Sequence, residues 1–220
     1  MNWAEAGFEV LGTRVLWTDL VGNVAALATV LLAIRKSIWT WPVQLTASVL
    51  LLVASVNAHI TGNALKQLMF GTLAVYGWWR WTRGTQDGRE LAVRPATARE
   101  RLGLVGVMLA GTAVIGVIFF VTGLSWGAHA PLPEGYLLVA ADAYIFVGSA
   151  VATWAQGRAL VDFWLIWIAV DLVGVPLAFS SGLVVSGAVY GVFSVLVLVG
   201  FFNWLQEYRS RTVLVLKEAT

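Results

Sequence analysis

"DFWLIWIAVD", residues 162–171, is the stretch on which the reading of this chain turns. Asp162 and Asp171 bracket an unbroken apolar run that contains Phe163, Trp164 and Trp167. The meaning of a carboxylate in such company depends on its solvent. Of 220 residues, 59% are hydrophobic and 12% charged, where a soluble domain carries roughly 25% charged residues. Mean hydropathy is +0.80. The length allows about seven membrane spans of roughly 20 residues each. The composition predicts an integral membrane protein, and "DFWLIWIAVD" becomes part of a span.

Seven apolar segments are expected, at about 15–34, 42–61, 63–82, 102–122, 137–156, 161–179 and 184–205. Each is apolar around its whole circumference, as helices in lipid or in a packed bundle are. Thr61-Gly62-Asn63 and Ser180-Ser181-Gly182 separate neighbouring segments as tight turns, which predicts helical hairpins. The stretch 83–101 is the one long polar connector and is too short to bury a core.

Charge sets the expected orientation. Twelve of the 14 basic residues (Arg35, Lys36, Arg80, Arg83, Arg89, Arg94, Arg99, Arg101, Arg158, Arg209, Arg211 and Lys217) fall at one set of segment ends, against Arg14 and Lys66 at the other. The positive-inside rule then predicts an outer N-terminus and a cytoplasmic C-terminus. Loop charge explains the basic pI, so no nucleic-acid partner is expected. Trp39, Trp41, Trp78, Trp79, Trp81, Trp154 and Trp204 would form an aromatic belt at the inner surface. The first 14 residues lack a basic region leading into an apolar run, which predicts no cleavable signal. There is no cysteine, and His59 and His129 stand alone, so neither a metal site nor a cofactor is expected.

Residues 19–81 align without gaps on 142–204 at an offset of 123. Asp19 meets Asp142, Arg35 meets Arg158, Trp41 meets Trp164, Gly77 meets Gly200 and Trp81 meets Trp204. Two three-helix repeats of like orientation need one linking helix between them. The expected fold is therefore all-α, a single transmembrane domain of 3+1+3 helices on the SWEET-like plan: repeat one at 15–82, linker helix at 102–122, repeat two at 137–205. A substrate site is expected between the repeats near mid-membrane.

Asp171 lies about 15 Å into its helix, near the bilayer centre, where a charge costs about 2.5–3.5 kcal/mol on insertion scales. Trp164, Trp167 and Asp171 share one helix face through i, i+3, i+7 spacing. Gly174 continues the face, and Pro176 is expected to break the helix just beyond. Indoles beside a central carboxylate suit a wall for a flat polar ligand. The alternative is a carboxylate bonded to neighbouring helices, with the tryptophans as packing. The repeat adds Trp41, Gln44 and Ser48, which match Trp164, Trp167 and Asp171. Gln67 matches Tyr190, and both are candidate ligand contacts or inter-helix hydrogen bonds. Asn57 and His59 read as turn and interface residues, and Asp19 and Asp142 as caps near helix starts.

"WPVQ" at 41–44, "ALKQLMFGTLAVYGWWRW" at 64–81, "FWLIWIAVD" at 163–171 and "GFFNW" at 200–204 resemble the Pnu family of bacterial vitamin transporters. The resemblance covers nearly all of 15–205. It implies a carrier of nicotinamide riboside, thiamine or riboflavin in the bacterial inner membrane. It also implies a seven-helix bundle, often a homotrimer, working by facilitated diffusion, with cytoplasmic phosphorylation trapping the vitamin. Nicotinamide riboside carriers read N-W-x-x-W at the start of helix six, where this chain has Phe163-Trp164-Leu165-Ile166-Trp167. Phe163 in place of a ligand-contacting asparagine favours riboflavin, with nicotinamide riboside or thiamine as alternatives. A proton-coupled carrier using Asp171 is a further alternative. An enzyme is disfavoured by the absence of cysteine, of a mid-membrane histidine and of a serine–base pair. The membrane subunit of an energy-coupled importer is another alternative: the chain carries no nucleotide-binding motif, so transport by the purified polypeptide alone in liposomes would argue against it.

Overall fold

The computed structural model describes residues 6–10, 13–57, 61–86, 92–180 and 184–218. Among the described residues, seven α-helices run in order: α1 (Trp17–Ile34), α2 (Thr40–Asn57), α3 (Thr61–Gln86), α4 (Ala98–Thr122), α5 (Glu134–Gly157), α6 (Asp162–Ser180) and α7 (Val184–Glu218). All seven expected segments are helices. Among the described residues, four helices contain stretches long and apolar enough to cross a membrane: Thr40–Asn57, Ala98–Thr122, Glu134–Gly157 and Gly191–Ser210.

Several boundaries differ from expectation. Residues 15 and 16 belong to β2 (Thr13–Leu16), which pairs antiparallel with β1 (Gly7–Val10) ahead of α1. The hairpin is tied down by the Trp17 N–H donating to the Ala6 carbonyl at 3.0 Å and by the Phe8 ring 4.7 Å from that of Trp17. The fourth helix begins at Ala98 instead of 102. Thr97 and Glu100 cap each other's backbone N–H there in a reciprocal box, which satisfies donors that a helix start leaves unpaired. The last helix passes the expected end at 205 and reaches Glu218, because the polar sequence after Trp204 remains helix-forming. The expected break in α6 does not occur: Pro176 lies inside a helix continuous from Asp162 to Ser180. Proline removes a single N–H donor, and the remaining ladder carries the helix through.

The chain forms two compact units, Met1–Arg80 and Trp81–Thr220. In the first, glycines let helices approach closely. A Cβ at Gly22 would stand 2.7 Å from Leu51 Cγ, and one at Gly77 would enter the Trp41 ring. In the second, Gly111 admits Val147, Gly148 admits Val170 and Gly200 admits the Trp164 ring. Phe119, Val139 and Ala143 form a buried cluster where α4 meets α5, with Phe146 edge-on to Phe119 at 5.6 Å.

Two turns match hydrogen bond for hydrogen bond. Between α1 and α2, the N–H of Arg35 donates to Leu31, Lys36 to Ala33, Ser37 to Leu32, Thr40 to Ser37 and Trp41 to Ile38. Between α5 and α6, Arg158 donates to Trp154, Ala159 to Gln156, Leu160 to Ala155, Phe163 to Leu160 and Trp164 to Val161. Lys36 and Ala159 both take left-handed backbone, with φ of 53° and 54°. Each turn is a Schellman C-cap that satisfies the last carbonyls of its helix. The offset between the two sets is again 123 residues.

Tryptophan burial corrects the aromatic belt. Trp39, Trp78 and Trp79 are exposed, but Trp41, Trp81 and Trp204 are core residues. Trp41 packs on Gly77 and Trp204 stands edge-on to Phe163 and Trp164, contacts that an interfacial position would not provide. Asp142 is likewise no cap: it lies nine residues into α5 and accepts a hydrogen bond from the Ser125 hydroxyl. Asp19 falls in the first turn of α1, and its side chain lies outside the described residues, as does His59.

Candidate functional site

The start of α6 is an aromatic cluster. The Phe163 and Trp164 rings lie 4.2 Å apart, and the Trp204 ring of α7 stands edge-on to them at 5.0 and 5.9 Å. Phe163 and Trp164 are 1% exposed and Trp204 is 0% exposed. The cluster is possible because Gly200 leaves room for the Trp164 indole. The Trp164 Nε1–H is buried without a hydrogen-bond partner among the described residues, a costly state for a polar group.

One and two turns further along, the environment changes. Trp167 and Asp171 are only half-buried. The Asp171 carboxylate accepts from the Ser194 hydroxyl of α7 at 2.9 Å. Sequence reasoning missed Ser194, which lies 23 residues away on another helix. The usable signal was that a carboxylate in an apolar helix needs a donor, and α7 carries few. A half-accessible indole, a carboxylate with acceptor capacity beyond one serine bond, and a hydroxyl can together hold a ligand with a planar face and polar edges.

In the first unit, Trp41 is fully buried against Gly77. Ser48 is buried beside Gly71, and Gln44 is half-buried one turn before it. Gln67 is buried and donates to Asn63 Oδ1 at 3.5 Å, while Asn63 donates to Ser55 Oγ at 2.6 Å. Asn63 links α3 to α2 through Ser55, while the Gln67 bond stays within α3. Thus Trp41, Gln44, Ser48 and Gln67 belong to one unit, and Phe163, Trp164, Trp167 and Asp171 to the other. Tyr190 lies on α7, with its side chain outside the described residues.

A second polar cluster went unread. The connector folds back onto the α5–α6 turn: the Arg94 N–H donates to the Ala159 carbonyl at 3.2 Å, and the Val161 N–H donates to the Arg94 carbonyl at 2.9 Å. Asp162 accepts from the Ala96 N–H and from Arg101 Nε, each at 2.6 Å. Arg94 forks onto Glu100 with two bonds of 2.7 Å, and Arg158 approaches the same carboxylate at 3.4 Å. The Arg94 guanidinium and the Thr97 N–H hold the Glu100 carboxyl well below the usual carboxylate range. The Thr-x-x-Glu spacing at 97–100 was the legible sign that this connector has structure.

A family model described as nicotinamide mononucleotide transporter matches residues 16–206. The riboflavin/roseoflavin transporter RibM of Streptomyces davaonensis is 42% identical over 221 residues, covering 97% of this chain and 98% of that protein. The nicotinamide riboside transporter PnuC of Escherichia coli is 25% identical over 218 residues, covering 91% and 90%. A crystal structure of the vitamin B3 transporter PnuC superposes with a TM-score of 0.63 at 19% identity, covering 88% of this chain and 83% of that one. It shares the fold. These relatives are membrane transporters and not enzymes.

Proposed function

The chain belongs to the nicotinamide mononucleotide transporter family of multi-pass membrane proteins, and from that premise we propose that it is a facilitative riboflavin carrier of the bacterial inner membrane. The observation that carries the choice of vitamin is the contrast in likeness: 42% identity to a riboflavin transporter against 25% to a nicotinamide riboside transporter, both over nearly the full chain. Phe163 supports it, since an apolar ring packed on Trp164 and Trp204 stands where nicotinamide riboside carriers place an amide.

In this reading Trp167 stacks on the isoalloxazine, and Asp171 accepts from a ribityl O–H or from the ring N–H. Gln44, Ser48, Gln67 and Tyr190 are the further candidate polar contacts, and Trp41, Phe163 and Trp164, which are buried, would act by packing behind the residues that touch the ligand. The 3+1+3 architecture, with repeats at 15–82 and 137–205 about a linker at 102–122, is part of the proposal. The congruent turns and the Trp41/Gly77 and Trp164/Gly200 pairings support it. Alternating access about the repeats would carry the vitamin inward, where phosphorylation by a cytoplasmic kinase retains it. The asymmetry of basic residues supports an outer N-terminus and a cytoplasmic C-terminus. A homotrimer completes the proposal.

The test is uptake of radiolabelled riboflavin by proteoliposomes of the purified chain. Saturable uptake that stops at equal concentrations and ignores a proton gradient is expected. Uptake of nicotinamide riboside without riboflavin favours the second reading, that of the Escherichia coli relative. Accumulation driven by the gradient favours proton coupling through Asp171.

A further inference from the structure

We infer that Asp162 is a positioning residue for transport: its bonds to Ala96 and Arg101 fix the rotation of α6 and so aim Trp167 and Asp171. The inference rests on the reading of that face as the vitamin site.

Residues 163–170 are apolar on every side, so burial alone does not distinguish one rotation of α6 from another. Directional bonds must do it. Asp162 is buried, and its two oxygens are taken by the Ala96 N–H and by Arg101 Nε, both at 2.6 Å. These donors come from the connector and the first turn of α4. Asp171 is held by Ser194 of α7. Nine residues separate the two aspartates, about two and a half helical turns, which puts them on opposite sides of α6. The helix is therefore pinned at two levels, on two faces, by two different neighbours. Trp167 sits between the pins. The Asp162 carboxylate is buried while the Arg101 side chain is half-exposed, and such a partly solvated pair adds little stability, so its value lies in the direction it imposes. The matching position 123 residues earlier is Trp39, exposed at 64%, so α2 has no counterpart of this anchor.

The test compares the wild type, Asp162→Asn, Trp167→Ala and the double variant. Riboflavin affinity is read by quenching of tryptophan fluorescence, with the melting temperature measured alongside. Asp162→Asn is expected to weaken affinity about three- to tenfold, the range that misplacing one aromatic stack covers. In the Trp167→Ala background the same substitution should change affinity little, because the residue it aims is gone. Lower melting with unchanged affinity would make Asp162 purely structural and overturn the inference. Equal losses in both backgrounds would overturn it too, by showing that Asp162 acts elsewhere.

A ligand-free arm uses the absence of native cysteine. Trp167→Cys should be alkylated by a small permeant maleimide at a different rate with Asp162 than with Asn at that position. Equal rates overturn the inference. Failure of the wild type to bind riboflavin would overturn the vitamin reading alone, since the alkylation rates still decide the anchor.

Discussion

Replacing Gly200 by alanine tests the packing on which the α6–α7 pair depends. A Cβ there would stand 2.5 Å from Trp164 Cζ2 and 2.8 Å from Cε2, with Cη2 closer still. A rigid indole cannot swing aside as the end of a flexible chain would, and Trp164 is held by Phe163 and Trp204 on its other sides. Forcing one carbon into such a core costs about 1–3 kcal/mol. For a chain of this size each kcal/mol moves the melting temperature by roughly 2–4 °C. Gly200→Ala should therefore melt about 2–12 °C lower in detergent. The control is Gly103→Ala on α4, where an added Cβ meets nothing within 4 Å. There alanine should stabilise by about 0.5–1 kcal/mol through the reduced freedom of the unfolded backbone. Differential scanning fluorimetry on intrinsic tryptophan reads both variants. Equal melting of the two would refute the reasoning. Gly77→Ala should repeat the loss through Trp41, since its added Cβ meets the same kind of ring.

Phe163→Asn should lower riboflavin uptake and open the carrier to nicotinamide riboside; uptake of both vitamins unchanged would show Phe163 to be packing alone. Asp171→Asn keeps the shape and removes the charge, so it should weaken riboflavin binding, and Ser194→Ala, which frees one carboxylate oxygen, should weaken it less; the reverse order would argue that the carboxylate serves α7 rather than the ligand. Single cysteines at Gly88 and Thr220 should resist an impermeant maleimide in intact cells, and labelling from outside would invert the topology. The Glu100 carboxyl is depressed by Arg94, so its contribution to stability is present above its unfolded value of about 4.3 and is lost only as pH falls through the much lower folded value. The melting difference between wild type and Glu100→Gln should therefore stay constant from about pH 5 to pH 8, and a difference that grows across that window would contradict the depressed value.

Hydropathy made the seven helices legible, because a span must satisfy its backbone internally and must be apolar for about 20 residues. It could not mark the β1–β2 hairpin, whose four-residue strands are too short for alternation to stand out. Nor could it follow α7 beyond 205, where the helix leaves the apolar composition that announced it. Twelve tryptophans say that rings matter, but a belt and a core have the same composition. Gly77 and Gly200, which separate the two outcomes, become informative only when their partners across the helix pair are known. The Trp164–Trp167–Asp171 face could be read from spacing alone, since residues three and four apart share a helix side. Ser194 and the Arg101–Asp162 anchor could not, because each joins elements distant in sequence and no local periodicity encodes such a pairing.

The most direct measurement of the central claim is riboflavin binding to the purified chain and to Trp167→Ala, followed by tryptophan quenching with nicotinamide riboside as competitor. Stacking on the indole, added to the area it buries, should make the variant about tenfold weaker. The account predicts saturable quenching by riboflavin, that loss in the variant, and little competition from nicotinamide riboside. Saturable binding of nicotinamide riboside without riboflavin, or a Trp167→Ala variant that binds riboflavin as tightly as the wild type, would contradict it.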